Sequence, residues 1–138
     1  MITPKELVDL AKEARTRSYC PYSDFAVGAA LLCKDGTVYQ GCNVENAAFG
    51  PTICAERVAM FKAVYDGQRE FEAIAVVGGK AGREITGLFP PCGVCRQVLR
   101  EFCGLDFKLY LGKENDGFEA VTLGELLPYS FSKADMKQ

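Results

Sequence analysis

The chain of 138 residues contains no histidine, no long apolar run and no excess of positive charge. Without histidine, a zinc site closed entirely by protein ligands lacks one of its two usual ligand types. No stretch approaches the roughly 20 apolar residues of a membrane-spanning helix. The N-terminus also lacks the charged and apolar regions of a signal peptide. We therefore expect a cytoplasmic protein with no membrane partner.

The formal net charge of -2 excludes a surface-wide basic attraction to nucleic acid, although a local basic patch is compatible with that total. The seven cysteines, in a chain without an export signal, predict free thiols in a reducing compartment. Their odd number also argues against a closed disulfide framework. The length suits one domain, residues 1–138, that can bury a core without disulfides.

Hydrophobic periodicity predicts helices that alternate with short strands. A capping box of Thr3 and Glu6, with Pro4 at the first helical position, marks the start of the first helix, which we expect to reach about Ser18. The expected elements that follow are strands 26–33 and 37–44, helix 54–65, strand 71–77, a long connection 78–89, a helix from 92 to 103, strands 107–111 and 118–122, and a short helix from 124.

This order of elements predicts an α/β fold, a three-layer α/β/α sandwich with helices on both sides of a five-stranded mixed sheet. The last two strands must be antiparallel, because residues 113–117 are too few for the crossover that parallel strands need. The helix 54–65 is expected to face the sheet through Val58, Phe61 and Val64, with Met60 and Ala63 beside them.

Three cysteines stand where two of the predicted helices begin. Cys54 starts one helix, and Cys92 and Cys95 lie three residues apart in the first turn of another, so that their sulfurs share a face. Helix N-termini favour anionic thiolates. Three thiolates can bind one zinc ion and leave its fourth position to water, which is the arrangement of a catalytic zinc.

Glu56 follows Cys54 closely enough to move protons at such a site. It lies about 200° round an ideal helix from Cys54, so it reaches the metal only if Cys54 occupies the helix end. Zinc with three thiolates carries a formal charge of 2 − 3 = −1, which a nearby cation must offset. Arg57 is the first candidate and Arg96 the second.

Each feature also has a simpler interpretation. The pair Cys92 and Cys95 could be a redox dithiol, or half of a structural zinc site completed by Cys20, Cys33, Cys42 or Cys103. Those four are more typical of small buried apolar residues. Tyr22 and Phe25 could be packing residues. Asn43 and Glu45 follow a strand, where they could bind ligand hydroxyls or merely stabilise a turn.

The sequence resembles the zinc-dependent cytidine deaminase family, in which three cysteines hold zinc and a glutamate that is not a ligand acts as acid and base. Within that family it is similar to the short, homotetrameric, three-cysteine branch that acts on free nucleosides. The stretches that carry the resemblance are Cys-Ala-Glu-Arg at 54–57, Pro-Cys-Gly-Val-Cys-Arg-Gln at 91–97, and residues 19–23, 27–31, 41–47 and 125–128.

The resemblance implies one Zn²⁺ per chain on Cys54, Cys92 and Cys95. It implies that Glu56 moves a proton from the zinc water to N3 of the base and to the leaving ammonia. The expected reaction is hydrolytic deamination of cytidine and 2′-deoxycytidine to uridine and 2′-deoxyuridine, in pyrimidine salvage.

The resemblance also implies substrate contacts. The backbone N–H of Ala55 would meet the pyrimidine O2, and Phe25 would pack on the base. Asn43 and Glu45 would contact the ribose 3′-hydroxyl. The resemblance further implies that the protein is a homotetramer. In it, Ala47 and Phe131 would reach into the site of a neighbouring subunit.

Two departures and three alternatives accompany this expectation. Phe49 stands where relatives are expected to have tyrosine, and the connection 78–89 is longer and differently composed than usual. The alternatives are a deaminase of a nucleoside-like antibiotic such as blasticidin S, a nucleic-acid-editing deaminase, and a non-catalytic zinc-binding module. The negative charge and the antiparallel last strands count against editing, because polynucleotide-editing relatives have these strands parallel.

Overall fold

The computed structural model describes residues 1–137, and in that range the chain forms one mixed sheet of five strands covered by helices. The strand order across the sheet is β2-β1-β3-β4-β5. The elements in chain order are α1 (Pro4–Arg15), β1 (Phe25–Cys33), β2 (Val38–Cys42), α2 (Ala55–Tyr65), β3 (Phe71–Lys80), α3 (Gly93–Phe102), β4 (Lys108–Gly112), β5 (Phe118–Thr122), α4 (Leu123–Leu126) and a final 3-10 turn (Asp135–Lys137).

The sheet combines both kinds of strand pairing. Strand β1 runs antiparallel to β2 and to β3, and β3 runs parallel to β4, with α3 in the crossover between them. Strands β4 and β5 are antiparallel, as predicted. Their connection turns on Asn115 and Asp116, both in the left-handed region with φ of 61° and 58°. Asparagine and aspartate tolerate that conformation better than most residues.

Apolar side chains on the two faces of the sheet confirm the three-layer prediction. On one face, α1 packs through Leu7, Val8 and Ala11. On the other face, α2 and α3 share a larger core with Leu31, Ile74 and other inward residues of the sheet. Alternate residues of β1 and β3 therefore enter different cores, which is the period-2 pattern of a strand buried on both sides.

The predicted capping box at the start of α1 is present: Glu6 N–H donates to Thr3 Oγ1 and Thr3 N–H donates to Glu6 Oε1. The predicted end at Ser18 was wrong by about one turn, because α1 ends at Arg15. The N–H groups of Arg17 and Ser18 donate to carbonyls three residues earlier, so this segment is a tight turn and not a continued α-helix.

The predicted inner face of α2 was wrong in part: Met60 and Ala63 are buried and Val64 packs against the core, as expected, but Val58 is only partly buried. The buried residues of the helix are Ala55, Glu56, Ala59, Met60 and Ala63, whereas Phe61 is 45% exposed. The cause is the closeness of the α2 backbone to strand β2. A Cβ at Gly41 of β2 would lie 2.5 Å from Ala55 O and 2.6 Å from Ala59 N. At this distance only small side chains such as those of Ala55 and Ala59 fit between helix and strand, so Phe61 lies on the solvent side, whereas Met60 is buried in the core.

The end of β3 also differs from the sequence prediction. Strand β3 continues to Lys80, because Gly78, Gly79 and Lys80 still pair with β1. The connection to α3 therefore begins at Ala81, three residues later than expected. Within residues 1–137, no helix combines the length and apolar character needed to cross a membrane.

Helix α1 contacts the sheet most closely at Gly28 of β1. A Cβ at this position would lie 2.0 Å from Ala11 O and 2.5 Å from Arg15 N. Because these are backbone atoms that cannot rotate away, Gly28→Ala should destabilise the fold by about 3 kcal/mol, the upper end of typical overpacking costs. Denaturant unfolding measures this cost. Gly87→Ala, where a Cβ meets no atom within 4 Å, is the matched control and should change stability little. Equal stability of the two variants would contradict this packing.

Candidate active site

Three thiols meet where the N-termini of α2 and α3 converge. Cys54 is the N-cap of α2, Cys92 is the N-cap of α3, and Cys95 lies in the first turn of α3. The Sγ–Sγ distance is 3.7 Å between Cys54 and Cys92, and 3.6 Å between Cys92 and Cys95. All three sulfurs lie within 4.8 Å of one another. The sequence predicted this grouping, and the topology of the fold produces it.

The thiol geometry suits a tetrahedral zinc ion. With Zn–S distances of about 2.3 Å, tetrahedral coordination places the sulfurs about 3.8 Å apart. Over the described part of the chain, the group of potential ligands contains these three cysteines and neither Glu56 nor another cysteine. Three protein ligands leave one coordination position open, as in catalytic zinc sites. A structural site closed by a fourth cysteine is not formed by the residues described.

Glu56 occupies the second position of α2 and lines the cavity beside the thiols. The condition that the sequence imposed, with Cys54 at the helix end, is met. The Glu56 side chain is 3% exposed, and its Oε1 has no hydrogen-bond partner among residues 1–137. Burial raises the pKa of Glu56 to about 7. A buried carboxyl group near that pKa can both accept and donate a proton.

The cation beside the thiols is Arg57. Its Nη2 donates to Cys54 Sγ at 3.5 Å. The second candidate, Arg96, instead donates to the carbonyl oxygens of Pro91 and Leu126, at 2.8 Å and 2.6 Å. Arg96 therefore joins the start of α3 to α4, and Arg57 offsets the thiolate charge. Interaction with the Cys95 thiol, followed by the Arg57 hydrogen bond, lowers the pKa of Cys54 to about 5.

The cavity that contains Glu56 has a volume of about 470 Å³. This is the size of a small-molecule site. Three parts of the fold line the cavity: the start of β1, the segment after β2, and the residues at the N-termini of α2 and α3. The lining residues are Ser23, Phe25, Val27, Asn43, Glu45, Thr52, Ile53, Cys54, Glu56, Phe89, Pro90 and Cys92.

Asn43 and Glu45 line the cavity and also hold the segment that carries Phe25. The Asn43 side chain donates to Phe25 O and accepts from Val27 N–H, each at 2.9 Å. The Glu45 carboxylate accepts from the N–H groups of Tyr22 and Ser23 and from the Ser23 hydroxyl. These bonds, the Ser23 hydroxyl first, lower the pKa of Glu45. Both interpretations from the sequence, ligand contact and local support, are therefore compatible with their positions.

The remaining predicted residues fall into two groups. Phe25 faces the cavity, and Ala55 is buried at the first position of α2, beside the cavity-lining residues Cys54 and Glu56. Ala47 and Phe131 are exposed and are not among the residues that line this cavity. The described chain thus brings the metal and proton residues together with Phe25, Asn43 and Glu45, and leaves Ala47 and Phe131 outside.

Ser23 and Phe89 are among the lining residues that were not predicted from the sequence. Ser23 lies within a stretch that carries the family resemblance, so its polar side chain in a loop was an available signal. Phe89 lies three residues before Cys92, and its ring centroid is 6.2 Å from that of Phe25. Nothing in the local pattern indicates that Phe89 would meet a residue so distant in sequence.

A mixed α/β sandwich with an open three-thiol site and a buried carboxyl group defines a zinc-dependent hydrolytic deaminase domain. Residues 1–110 match the family model described as the cytidine and deoxycytidylate deaminase zinc-binding region. The chain belongs to this family, and the resemblance drawn from its motifs is confirmed.

Known proteins resemble the chain over nearly its whole length. It is 49% identical over 132 residues to a cytidine deaminase of Sporosarcina psychrophila, covering 96% of this chain and 93% of the relative. A crystal structure of cytidine deaminase from Burkholderia pseudomallei superimposes with a TM-score of 0.86 at 45% identity, covering 94% of this chain and 100% of the other. A blasticidin-S deaminase of Bacillus cereus is 30% identical over 131 residues, covering 93% and 91% of the two chains.

The thiol group should hold one metal ion per chain. Loss of an outer-shell partner alone typically costs about 10–100-fold in metal affinity, so loss of a ligand should cost more. We expect Cys95→Ala, purified without added zinc, to contain far less than one equivalent by elemental analysis. Cys103→Ala is the matched control, because Cys103 is also buried and lies outside the thiol group. Full zinc content in Cys95→Ala would contradict the assignment.

Proposed function

We propose that the protein catalyses the zinc-dependent hydrolytic deamination of cytidine and 2′-deoxycytidine to uridine and 2′-deoxyuridine, with release of ammonia. The observation that carries this proposal is the buried carboxyl group of Glu56 beside three thiols, in a cavity of about 470 Å³. The relatives with the greatest similarity described above are cytidine deaminases, which supports the choice of substrate.

The zinc ion held by Cys54, Cys92 and Cys95 would supply an acidified water as nucleophile. Glu56 would accept a proton from the attacking water and deliver it to N3 of the ring. It would then take the second proton of the added water from the hydroxyl group on C4 and give it to the amino group, which leaves as ammonia. Its burial, which keeps the carboxyl pKa near neutrality, suits a group that must gain and lose a proton in each cycle. Arg57 would offset the thiolate charge that otherwise makes the water harder to ionise.

Substrate contacts follow from the residues that surround Glu56. N–H groups in the first turn of a helix have no partner within the helix, so Ala55 N–H is available for the pyrimidine O2. Phe25 would pack on the base. The Asn43 amide has two N–H groups and gives one to Phe25 O, so the other can reach the ribose 3′-hydroxyl. The Glu45 carboxylate would contact the same hydroxyl.

Blasticidin S is the second candidate substrate, because a deaminase of this antibiotic also resembles the chain over most of its length, at 30% identity. The higher identity to cytidine deaminases favours cytidine. A non-catalytic zinc module is disfavoured by Glu56. A buried carboxyl oxygen without a partner among the described residues costs stability and serves no purpose in a structural site.

We further propose that the protein is a homotetramer with sites shared between subunits. Phe131 is 60% exposed and Phe49 is 74% exposed, so both present apolar surface that a neighbouring subunit would bury. Ala47, near Phe49, would reach a neighbouring site together with Phe131. A neighbour that closes the cavity would exclude water and strengthen the electrostatic interactions of the site.

A three-thiolate centre needs reduced cysteines, which favours a reducing compartment. None of the seven cysteines forms a disulfide within the described chain. This supports a role in cytoplasmic pyrimidine salvage, where free nucleosides are the substrates.

Ammonia release on cytidine, deoxycytidine, blasticidin S and adenosine tests the proposed reaction. We expect turnover of the first two and little of the others. Glu56→Gln should keep zinc and fold but lose at least the roughly 10²–10⁴-fold that acid–base catalysis supplies. The same assay with Glu101→Gln, an exposed carboxylate outside the cavity, provides the control. A Glu56→Gln enzyme with more than a tenth of wild-type turnover would assign the proton transfer to another group.

Light scattering together with kinetics tests the shared site. We expect a particle of four 15.1 kDa chains for wild type and for Phe131→Ala. The variant should lose about tenfold or more in kcat/KM, since burying a phenylalanine side chain contributes about 1.5–3 kcal/mol. Met136→Ala removes another exposed apolar side chain near the C-terminus and should leave kinetics unchanged. A fully active monomer, or a Phe131→Ala tetramer with wild-type kinetics, would refute the shared site.

A further inference from the structure

Phe25 and Phe89 stand between two cavities. Both residues line the cavity that contains Glu56, and both also line a second cavity of about 340 Å³ formed by the end of β3 and the segment that follows it. Their ring centroids are 6.2 Å apart with an interplanar angle of 34°, so the two rings are in contact. Together they form a wall, which we call the aromatic wall.

The position of Phe89 in this wall depends on Gly78. A Cβ at Gly78 would lie 2.5 Å from Cγ and 2.7 Å from Cδ1 of the Phe89 ring. The ring therefore rests directly on the backbone of β3, at the residue that pairs with Val27 of β1. Val27 itself lines the Glu56 cavity. The adjacent Gly79 is different, because the nearest atom to a Cβ there would be 3.6 Å away.

The aromatic wall lies beside the reacting end of the proposed substrate. Phe89 and Pro90 line the cavity and are followed closely in the chain by Cys92, one of the thiols of the metal site. Ring carbon C4, where the amino group is replaced, has N3 and C5 as its neighbours. In the proposed mechanism, Glu56 occupies the N3 side. A group on C5 lies on the other side of C4 from N3, and in the pose that we infer it faces the aromatic wall, in which Phe89 is close in the chain to Cys92.

We propose that Phe89, seated on Gly78, is a specificity-determining residue that limits the size of the C5 substituent on the pyrimidine. This inference rests on the proposed deaminase function. The Phe89 ring lies between the Glu56 cavity and the second cavity and separates them. Its removal would join the two cavities and admit bases that the wild-type protein excludes.

The test compares kcat/KM for cytidine, 5-methylcytidine and 5-iodocytidine in wild type, Phe89→Leu and Phe89→Ala. The electronic effect of each substituent is common to all variants, so the ratio to cytidine isolates the fit. One methylene in a binding pocket changes kcat/KM by about 10–200-fold. We expect the ratio for 5-iodocytidine to rise by about tenfold or more in Phe89→Ala, and by less in Phe89→Leu.

Leu88→Ala is the matched control. Leu88 lines the second cavity and is not among the residues that line the Glu56 cavity. Its truncation should leave all three substrate ratios at wild-type values. If the 5-iodocytidine ratio rises as much in Leu88→Ala as in Phe89→Ala, general loosening of this segment explains the effect and the proposal is overturned.

Gly78→Ala tests whether contact with Gly78 positions the Phe89 ring. The added methyl group should displace Phe89 into the Glu56 cavity and lower kcat/KM for 5-methylcytidine more than for cytidine. Gly79→Ala should have neither effect. The double variant Gly78→Ala/Phe89→Ala should recover activity toward cytidine relative to Gly78→Ala, because the displaced ring is gone. If the double variant has a wild-type melting curve but does not recover activity toward cytidine, the claim that contact with Gly78 positions the Phe89 ring is wrong.

The outcomes separate this inference from the proposed function. A wild-type protein that does not deaminate cytidine would refute the proposed function. If the wild type deaminates cytidine but folded Phe89→Ala has unchanged substrate ratios, the specificity role of Phe89 is refuted and the proposed function stands. If thermal melting shows that Phe89→Ala is unfolded, Phe89→Leu takes its place. An unchanged ratio of kcat/KM for 5-iodocytidine to that for cytidine in Phe89→Leu would also refute the specificity role of Phe89. A purely structural role for Phe89 would lower kcat/KM equally for all three substrates.

Discussion

The candidate site depends on the convergence of two helix N-termini on three sulfur atoms. Helix α2 can approach because Gly41 of β2 has no side chain in the way. Helix α3 starts at the same place because the parallel pair β3 and β4 requires a crossover helix. Both helices present their positive ends to the thiols, which favours thiolates over neutral thiols. The metal site is thus a consequence of how the two helices cover one face of the sheet.

Charge balance explains the residues around the thiols. Three thiolates exceed the charge of one zinc ion, and the Arg57 guanidinium, bonded to Cys54 Sγ, offsets the excess. The neighbouring Glu56 is in the opposite situation, because its burial favours the neutral acid. One turn of helix therefore carries the groups that the proposed mechanism uses as ligand, compensating cation and proton carrier, each in a different direction around the helix axis.

The substrate side of the cavity is supported by hydrogen bonds that tie distant segments to the start of β1. Asn43 bonds to the backbone on both sides of Ala26, and Glu45 holds the loop at Ser23. Residues that line this cavity thus also hold the segment that carries Phe25. Substitution of either side chain would change the shape of the cavity together with its polar contacts, so the two roles are coupled by geometry.

Spacing and local chemistry were sufficient to predict several features of the fold and the site. The capping box at Thr3 and the antiparallel final strands followed from short-range rules, whereas the grouping of Cys54 with Cys92 and Cys95 followed from zinc-ligand chemistry and the family resemblance; the structure contains each of them. The exposure of Phe61 on α2 could not be predicted in this way, because the close approach of the helix to Gly41 of β2 outweighs side-chain hydrophobicity. The contact of Phe25 with Phe89 likewise arises only in the folded chain. Contacts between residues far apart in the chain depend on how strands pair and helices pack, and no local pattern encodes them.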